Sequence, residues 1–155
     1  MADPVKLQIA NAALDVLKNI TRSGSTPYYT DLGRRVARGY LALAEMNSTD
    51  FPRLAVYYAA GDDAGGCMGG QYEDVDELIV EASVRSAKAQ DADDELMRAE
   101  ADIFRAMLTD PQLANTALEV RRARWESERN TRTDDHRGRI YVRFTVRSTR
   151  SPSAP

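Results

Sequence analysis

The chain has 155 residues, of which 43% are hydrophobic and 29% are charged, and its formal net charge is −3. This size and composition favour one soluble globular domain with its own core. No apolar run approaches the width of a bilayer, and the start Met-Ala-Asp-Pro-Val-Lys lacks the apolar segment of a signal peptide. The single cysteine, Cys67, excludes an intramolecular disulfide. We therefore expect a protein that is made in the cytoplasm and has no membrane partner.

The first predicted element is an amphipathic helix from Pro4 to about Asn19. Asp3 suits the N-cap, and proline suits the first helical position, where no amide donor is needed. Its apolar stripe comprises Val5, Ile9, Ala12, Val16 and Ile20. After a turn rich in Ser and Gly, the alternation over Leu32–Tyr40 favours a strand, although a short helix fits the same segment.

Two further strands are predicted in the middle of the chain, with a long loop between them. Arg53–Ala60 is rich in β-favouring side chains. Gly61–Gln71 holds five glycines in eleven residues, which predicts a long mobile loop. In Val75–Ser86, apolar and polar residues alternate, and one predicted core face comprises Leu78, Val80, Ala82 and Val84.

A second amphipathic helix is predicted over Ala92–Leu108. It begins near Asp91 or Asp93, where carboxylates favour a helix N-terminus, and it ends at Asp110-Pro111. Its predicted core stripe comprises Ala92, Leu96, Ala99, Ile103 and Met107, flanked by Ala106, and Phe104 and Leu108 extend the apolar side.

The end of the chain predicts a hairpin. Ala117–Glu128 and Arg139–Ser148 resemble its arms, joined by a polar connection over 129–138. Residues 149–155 predict a flexible tail. The elements together predict a single α+β domain over 1–148, in which a mixed or antiparallel sheet of four to five strands is flanked by two main helices.

Charge is divided unevenly along the sequence. From Gly61 to Asp102 there are 13 acidic and 3 basic side chains, whereas from Ala117 to Arg150 there are 10 basic and 5 acidic ones. This division predicts surface regions of opposite field. Two solvated faces would explain it, and so would head-to-tail association, in which an acidic patch meets the basic patch of the next copy and the contacts form a ring or a filament.

The last predicted strand concentrates positive charge on one side. Its apolar side comprises Ile140, Val142, Phe144 and Val146, and its polar side comprises Arg139, Tyr141, Arg143, Thr145 and Arg147. A solvated sheet face, a nucleic-acid track and a subunit interface would each show this pattern. Because the chain is acidic overall, we favour the interface and keep non-specific contact with passing DNA as a secondary alternative.

The sequence gives weaker evidence for a catalytic, metal or nucleotide site than for an interface. The Gly-rich segment lacks the Gly-Lys-Ser/Thr ending of a P-loop, and acidic pairs such as Asp62-Asp63 lack the spacing of an EF-hand. His136, the only histidine, and Cys67 lie in separate loop-like segments without a partner motif. The sequence therefore predicts no catalytic residue, no metal and no cofactor, and a small enzyme using His136 or Cys67 is the disfavoured alternative.

The order of elements resembles that of the tail terminator proteins of long-tailed bacteriophages, a family that includes the minor tail protein U of lambda-like phages. The resemblance spans about Val5 to Ser148 and comprises a helix, a three-strand meander, a second helix and a closing hairpin with a charged strand. Its most suggestive stretch runs from Asp102-Ile103-Phe104-Arg105 through Leu113 to Leu118-Glu119-Val120.

The resemblance implies a structural virion protein of the tail and neck that has no enzymatic activity. Such proteins form a hexameric ring at the head-proximal end of the tail tube, end tube polymerisation and present a surface for the head connector. The implied partners are further copies of the chain, the tail tube protein and the connector or neck proteins. Another neck or tail-completion component of the particle is an alternative, and a small DNA-binding protein is a more distant one.

No strict motif fixes functional residues in this family, so candidates for a subunit interface or a lumen come from the charge pattern. On the basic side they are Arg139, Tyr141, Arg143 and Arg147. On the acidic side they are Asp93, Asp94 and Glu100.

Overall fold

A computed structural model describes residues 4–25, 27–68, 71–132 and 134–150, with the side chains of all of these except 62–68, 131–132 and 150. Two helices and a five-stranded mixed sheet form the predicted α+β fold. The helices are α1 (Val5–Leu17) and α2 (Ala89–Thr109), and the strands are β1 (Val36–Arg38), β2 (Arg53–Met68), β3 (Gln71–Ser86), β4 (Glu119–Arg132) and β5 (Asp135–Arg150).

The strand order in the sheet is β1-β2-β3-β5-β4. β1 runs parallel to β2, whereas the other neighbours are antiparallel. The three-strand meander expected after α1 is therefore wrong, because the connection between β1 and β2 crosses over instead of forming a hairpin. This order makes β4 one edge of the sheet, and on the other side the short β1 covers only Leu54–Val56 of β2.

The hydrophobic core lies between the sheet and the two helices, on a side that we call the helix face. The predicted apolar residues of β3 and β5 are buried there, as is the predicted stripe of α2. In α1 the buried residues are Ile9, Ala10, Ala13 and Leu17, so the stripe is rotated from the predicted one. α2 begins at Ala89, before the predicted Asp91 or Asp93, and ends before Asp110, as predicted.

The prediction of a mobile loop over Gly61–Gln71 is wrong for the part of this segment that the structure describes. β2 continues to Met68 and β3 begins at Gln71, with Gly61–Asp63 opposite Asp74–Asp76. Backbone pairing with β3 extends this segment without requiring apolar side chains. At Gly61 a Cβ would lie 2.0 Å from an Asp76 carboxylate oxygen, so a larger residue there would displace that side chain. Residues 69 and 70 lie outside the described residues.

The polar connection predicted over 129–138 is also wrong. β4 runs to Arg132 and β5 begins opposite it at Asp135, so the hairpin turn is tight and Asp134 adopts a φ of 59°. His136 therefore lies on a strand and not in a loop. β5 extends to Arg150, two residues beyond the predicted domain end, while the rest of the predicted tail and the predicted N-cap at Asp3 lie outside the described residues.

The segment Leu32–Tyr40 divides between its two predicted conformations. Leu32–Arg34 forms a 3₁₀ turn, and Val36–Arg38 forms β1. The 3₁₀ turn passes close to the end of α1, where the Gly33 amide donates to the Ile20 carbonyl at 2.9 Å.

Replacing Gly33 by alanine is expected to lower the free energy of unfolding by about 1 to 3 kcal/mol. A Cβ there would lie 2.5 Å from the Lys18 carbonyl oxygen and 2.8 Å from that of Ile20. Both are backbone atoms, so the new methyl group displaces the chain itself. Urea unfolding followed by circular dichroism measures the loss, with the exposed neighbour substitution Arg34→Ala as the control. Equal stability of the two variants would show that the 3₁₀ turn at Gly33 is not tightly packed against the end of α1.

Candidate functional site

The sheet face opposite the helices carries two charged rows, and we call it the ionic face. The acidic row is Glu73, Glu77 and Glu81 on β3, and the basic row is Arg139, Arg143 and Arg147 on the adjacent β5. The rows pair diagonally across the strands: Arg139 lies 3.2 Å from Glu81, Arg143 lies 3.2 Å from Glu77, and Arg147 lies 2.5 Å from Glu73. The basic row is therefore matched by carboxylates of its own sheet.

β4 adds carboxylates on the other side of the basic row. Arg143 lies 3.5 Å from Glu126, and Arg147 lies 3.6 Å from Glu119. The acidic middle and the basic end of the sequence thus meet within one chain, because β5 inserts between β3 and β4. The positive charge of this row is therefore largely compensated within one chain.

Burial of the basic row falls steadily toward the end of β5. The Arg139 side chain is 0% exposed, that of Arg143 is 18% exposed and that of Arg147 is 44% exposed. Arg139 was predicted to be an interface or lumen residue, and this is wrong because the connection between β1 and β2 folds over it. Its guanidinium donates to the Leu41 carbonyl at 2.6 Å and to the Ser83 hydroxyl at 2.9 Å.

Polar side chains that are partly buried or exposed surround the buried Arg139–Glu81 pair at the covered end of the ionic face. The Tyr57 hydroxyl donates to the Glu81 carboxylate at 2.9 Å, and the Tyr141 hydroxyl donates to Glu128 at 2.7 Å. Burial raises the pKa of the Glu81 carboxyl, although Arg139 opposes the rise. Burial likewise raises the pKa of Tyr57, and it raises that of Tyr141 to about 12. Both hydroxyls therefore remain protonated donors at neutral pH, and the cluster is suited to holding the loop on the sheet.

Two of the three acidic candidates on α2 have partners in the same chain. Arg129 on β4 donates to Asp93 at 2.6 Å, and Arg122 forms an ion pair with Glu100. Asp94 is partly exposed and makes no hydrogen bond or ion pair within the described part of the chain. A role in subunit contacts stays a prediction for six residues: Asp93, Asp94, Glu100, Tyr141, Arg143 and Arg147.

His136 and Cys67, either of which the enzyme alternative would use, lie far from each other. Cys67 lies opposite Tyr72, and His136 lies opposite Ser86, at the two ends of β3. At about 3.3 Å per residue, these ends are about 45 Å apart, so the two residues cannot act as nucleophile and base in one monomer. Among the described residues no group of His, Cys, Asp and Glu is placed to hold a metal ion. No described helix has the length and apolarity needed to span a membrane.

Both edges of the sheet are open over long stretches, which the sequence did not predict. Every residue from Arg121 to Arg129 on β4 is exposed, including the only tryptophan, Trp125, at 52%. On the opposite side, β2 beyond Val56 pairs only with β3 among the residues described. A tryptophan within a charged strand is a signal that could have indicated this surface, because exposed aromatic residues are enriched at interfaces.

Comparison with family models finds no match, and comparison with curated proteins finds none. Among solved structures, the chain is similar to a chain of the "Virion of native gene transfer agent (GTA) particle". The identity is 12% and the TM-score is 0.41, and the match covers 90% of this chain and 98% of that chain.

Proposed function

We propose that this protein is a structural component of a phage virion that forms a ring at the head-proximal end of the tail tube. The ring ends tube polymerisation and provides the surface that joins the tail to the head connector. The protein works by shape and contact and catalyses no reaction. One face of the ring matches the last ring of the tube, and the other face does not accept a further tube subunit.

The observation that carries this proposal is the pair of open edges on one sheet. Long edges of unpaired backbone groups promote association with other chains, and monomeric proteins usually cover or shorten them. In this protein β4 exposes a continuous stretch from Arg121 to Arg129, and beyond Val56 β2 pairs with no described strand other than β3. A protein that functions by assembly has a use for such edges.

The open edges support assembly in general, and the resemblance to tail terminator proteins is the reason for proposing tail termination. The resemblance in the order of helices and strands, apart from the meander, also supports a hexameric state and a position in the tail and neck of the virion. It likewise supports the tail tube protein and the connector as partners. The ion pairing of the ionic face disfavours the DNA-binding alternative, because Arg143 and Arg147 already contact carboxylates and are less available to phosphates.

Adding this protein to polymerising tail tube protein of the same particle tests the proposed function. We expect the mean tube length in electron micrographs to fall as the ratio of this protein to tube protein rises. We also expect a ring at one end of each shortened tube. An unrelated protein of similar size and charge serves as the control. Unchanged tube lengths, with bare tube ends, would contradict the proposal.

A further inference from the structure

We infer that two free copies of this chain pair symmetrically through β4, with residues 124–128 of each copy forming an antiparallel ladder about a two-fold axis at Glu126. The partner is therefore a second copy of the same chain. The inference goes beyond the proposed function, because it concerns copies that have not yet met a tube end. A contact that uses the same surface on both copies closes at two.

The regular part of β4 presents backbone hydrogen-bonding groups toward its open side. The Val120 amide points away from β5 and donates to the Pro111 carbonyl at 2.8 Å. Backbone direction alternates along an antiparallel ladder. Counted through the partners on β5, and past the irregularity at 122–124, the outward positions include Trp125 and Ser127. Among the described strands only β5 pairs with β4, so the backbone groups of these two residues have no strand partner.

Two exposed apolar side chains lie beside this stretch on the helix face. Trp125 on β4 is 52% exposed, and Met97 on α2 is 64% exposed. Two ion pairs between β4 and α2 flank these side chains, and they are Arg129–Asp93 and Arg122–Glu100. Met97 lies between the two acidic members at helical spacing, on the side of α2 that faces β4. An apolar centre with a charged rim is typical of a protein–protein interface.

Symmetric pairing of β4 buries both of these side chains. α2 lies mainly over β3 and β5. Since neighbouring strands are about 4.8 Å apart, the two α2 helices of the joined sheets lie four strand spacings, or about 19 Å, from each other. A helix with its side chains is about 10 Å across, which leaves a gap of about 9 Å above the paired strands. Trp125 and Met97 of both copies fill this gap.

The outward amides and the irregularity at 122–124 determine the register. A ladder centred on Glu126 pairs Trp125 of each copy with Ser127 of the other, so that a large side chain meets a small one. The four amide–carbonyl hydrogen bonds of these pairs lie within the regular stretch 124–128. Centring the ladder on Trp125 would instead bring the irregularity into the contact.

Charges on the ionic face favour the same register. Arg124 of each copy lies opposite Glu128 of the other, which adds two ion pairs between the copies. Arg124 is 61% exposed, and it lies 3.5 Å from Glu126 and 3.9 Å from Glu77 within its own chain, so it is loosely held. The two Glu126 side chains meet at the axis, each beside its own arginine. Centring the ladder on Ser127 would place Glu126 opposite Glu128 and remove both attractive pairs.

The pair protects an edge that is a liability in the free chain. Exposed edge strands promote association with other chains and aggregation. Because the two-fold contact occupies β4 on both copies, it does not extend into a filament. The dimer therefore keeps β4 from pairing elsewhere until the chain meets a tube end.

A cysteine at the proposed axis tests the register. In a Cys67→Ser background, Glu126→Cys places two thiols in a non-hydrogen-bonded pair whose Cβ atoms are about 4.5 to 5.5 Å apart, close enough for a disulfide. Glu128→Cys is the matched control, because its two copies lie about 14 Å apart in this register. Under mild oxidation we expect a covalent dimer of the Glu126→Cys chain and none of the control. Equal cross-linking of both variants, or of neither, would overturn the inference.

A charge swap tests the contact without new cysteines. Arg124→Glu makes both pairs between the copies repulsive, so we expect the Kd of the dimer to rise by about tenfold or more. Adding Glu128→Arg restores opposite charges, and we expect a Kd within about threefold of wild type. Sedimentation equilibrium measures the Kd, and circular dichroism verifies that each variant is folded. A double variant that dimerises no better than Arg124→Glu would contradict the proposed pairing.

Native mass spectrometry of dilute wild-type protein without tail tubes separates this inference from the proposed function. We expect a dimer of 17.2 kDa subunits. A chain that forms no dimer at any concentration overturns the inference and leaves the proposed function standing, since the tube-length experiment tests that separately. A chain that forms the dimer but leaves tube lengths unchanged contradicts the proposed function and supports the symmetric pair.

Discussion

Replacing Asp102 by alanine is expected to lower the free energy of unfolding by about 3 kcal/mol or more, because it leaves buried amide donors without an acceptor. The Asp102 carboxylate on α2 is 0% exposed. It accepts hydrogen bonds from the Tyr29 amide at 3.0 Å, from the Thr30 amide at 2.8 Å and from the Thr30 hydroxyl at 2.7 Å. One side chain thus holds the loop after α1 against α2.

Urea unfolding followed by circular dichroism measures the effect. Asp94→Ala is the matched control on the same helix, because Asp94 is partly exposed and makes no contact of this kind among the described residues. We expect the control to change stability by less than about 0.5 kcal/mol. If Asp102→Ala were as stable as Asp94→Ala, the carboxylate would not be the anchor of this loop.

Replacing Arg139 by methionine is expected to cost about 3 to 5 kcal/mol at pH 8, because it leaves the Glu81 carboxylate buried without its cation. The pair is almost fully buried, with the Arg139 side chain at 0% and that of Glu81 at 1% exposure. The double variant Arg139→Met with Glu81→Gln should recover part of this loss, because it removes the uncompensated charge. Equilibrium unfolding of both single variants and of the double variant measures this coupling.

The destabilisation by Arg139→Met should be smaller at pH 5 than at pH 8. Burial already raises the pKa of Glu81 in the folded protein, and removing Arg139 raises it further. A carboxyl with a raised folded-state pKa keeps its proton to a higher pH in the folded state than in the unfolded state. The free energy of unfolding of the variant therefore falls as pH rises. A loss that is independent of pH between 5 and 8 would mean that Glu81 is not the group left uncompensated.

Periodic elements were predictable from the sequence because their own residues determine them. The alternation over 78–84 and 140–146 identified the core face of both central strands, and the stripe of α2 was correct at every position. Asp102 lies within that stripe, between Ala99 and Ala106, and a lone carboxylate in a core stripe is a signal for a buried anchor.

Strand ends and strand neighbours were not predictable in the same way. The segments 61–68 and 129–138 are polar or rich in glycine, and they are extended because an adjacent strand pairs with their backbone. Without the strand order, the basic row of β5 was expected to face another copy. A four-residue spacing is shared by the acidic and basic rows, and it could have indicated that β3 and β5 are neighbours.

The mass of the protein's assembly in solution tests the central claim most directly. Native mass spectrometry of the full chain, alone and with tail tubes, should detect a closed ring of 17.2 kDa subunits, with six copies as the expected number. A chain that stays monomeric at every concentration and does not bind tube ends would contradict the account.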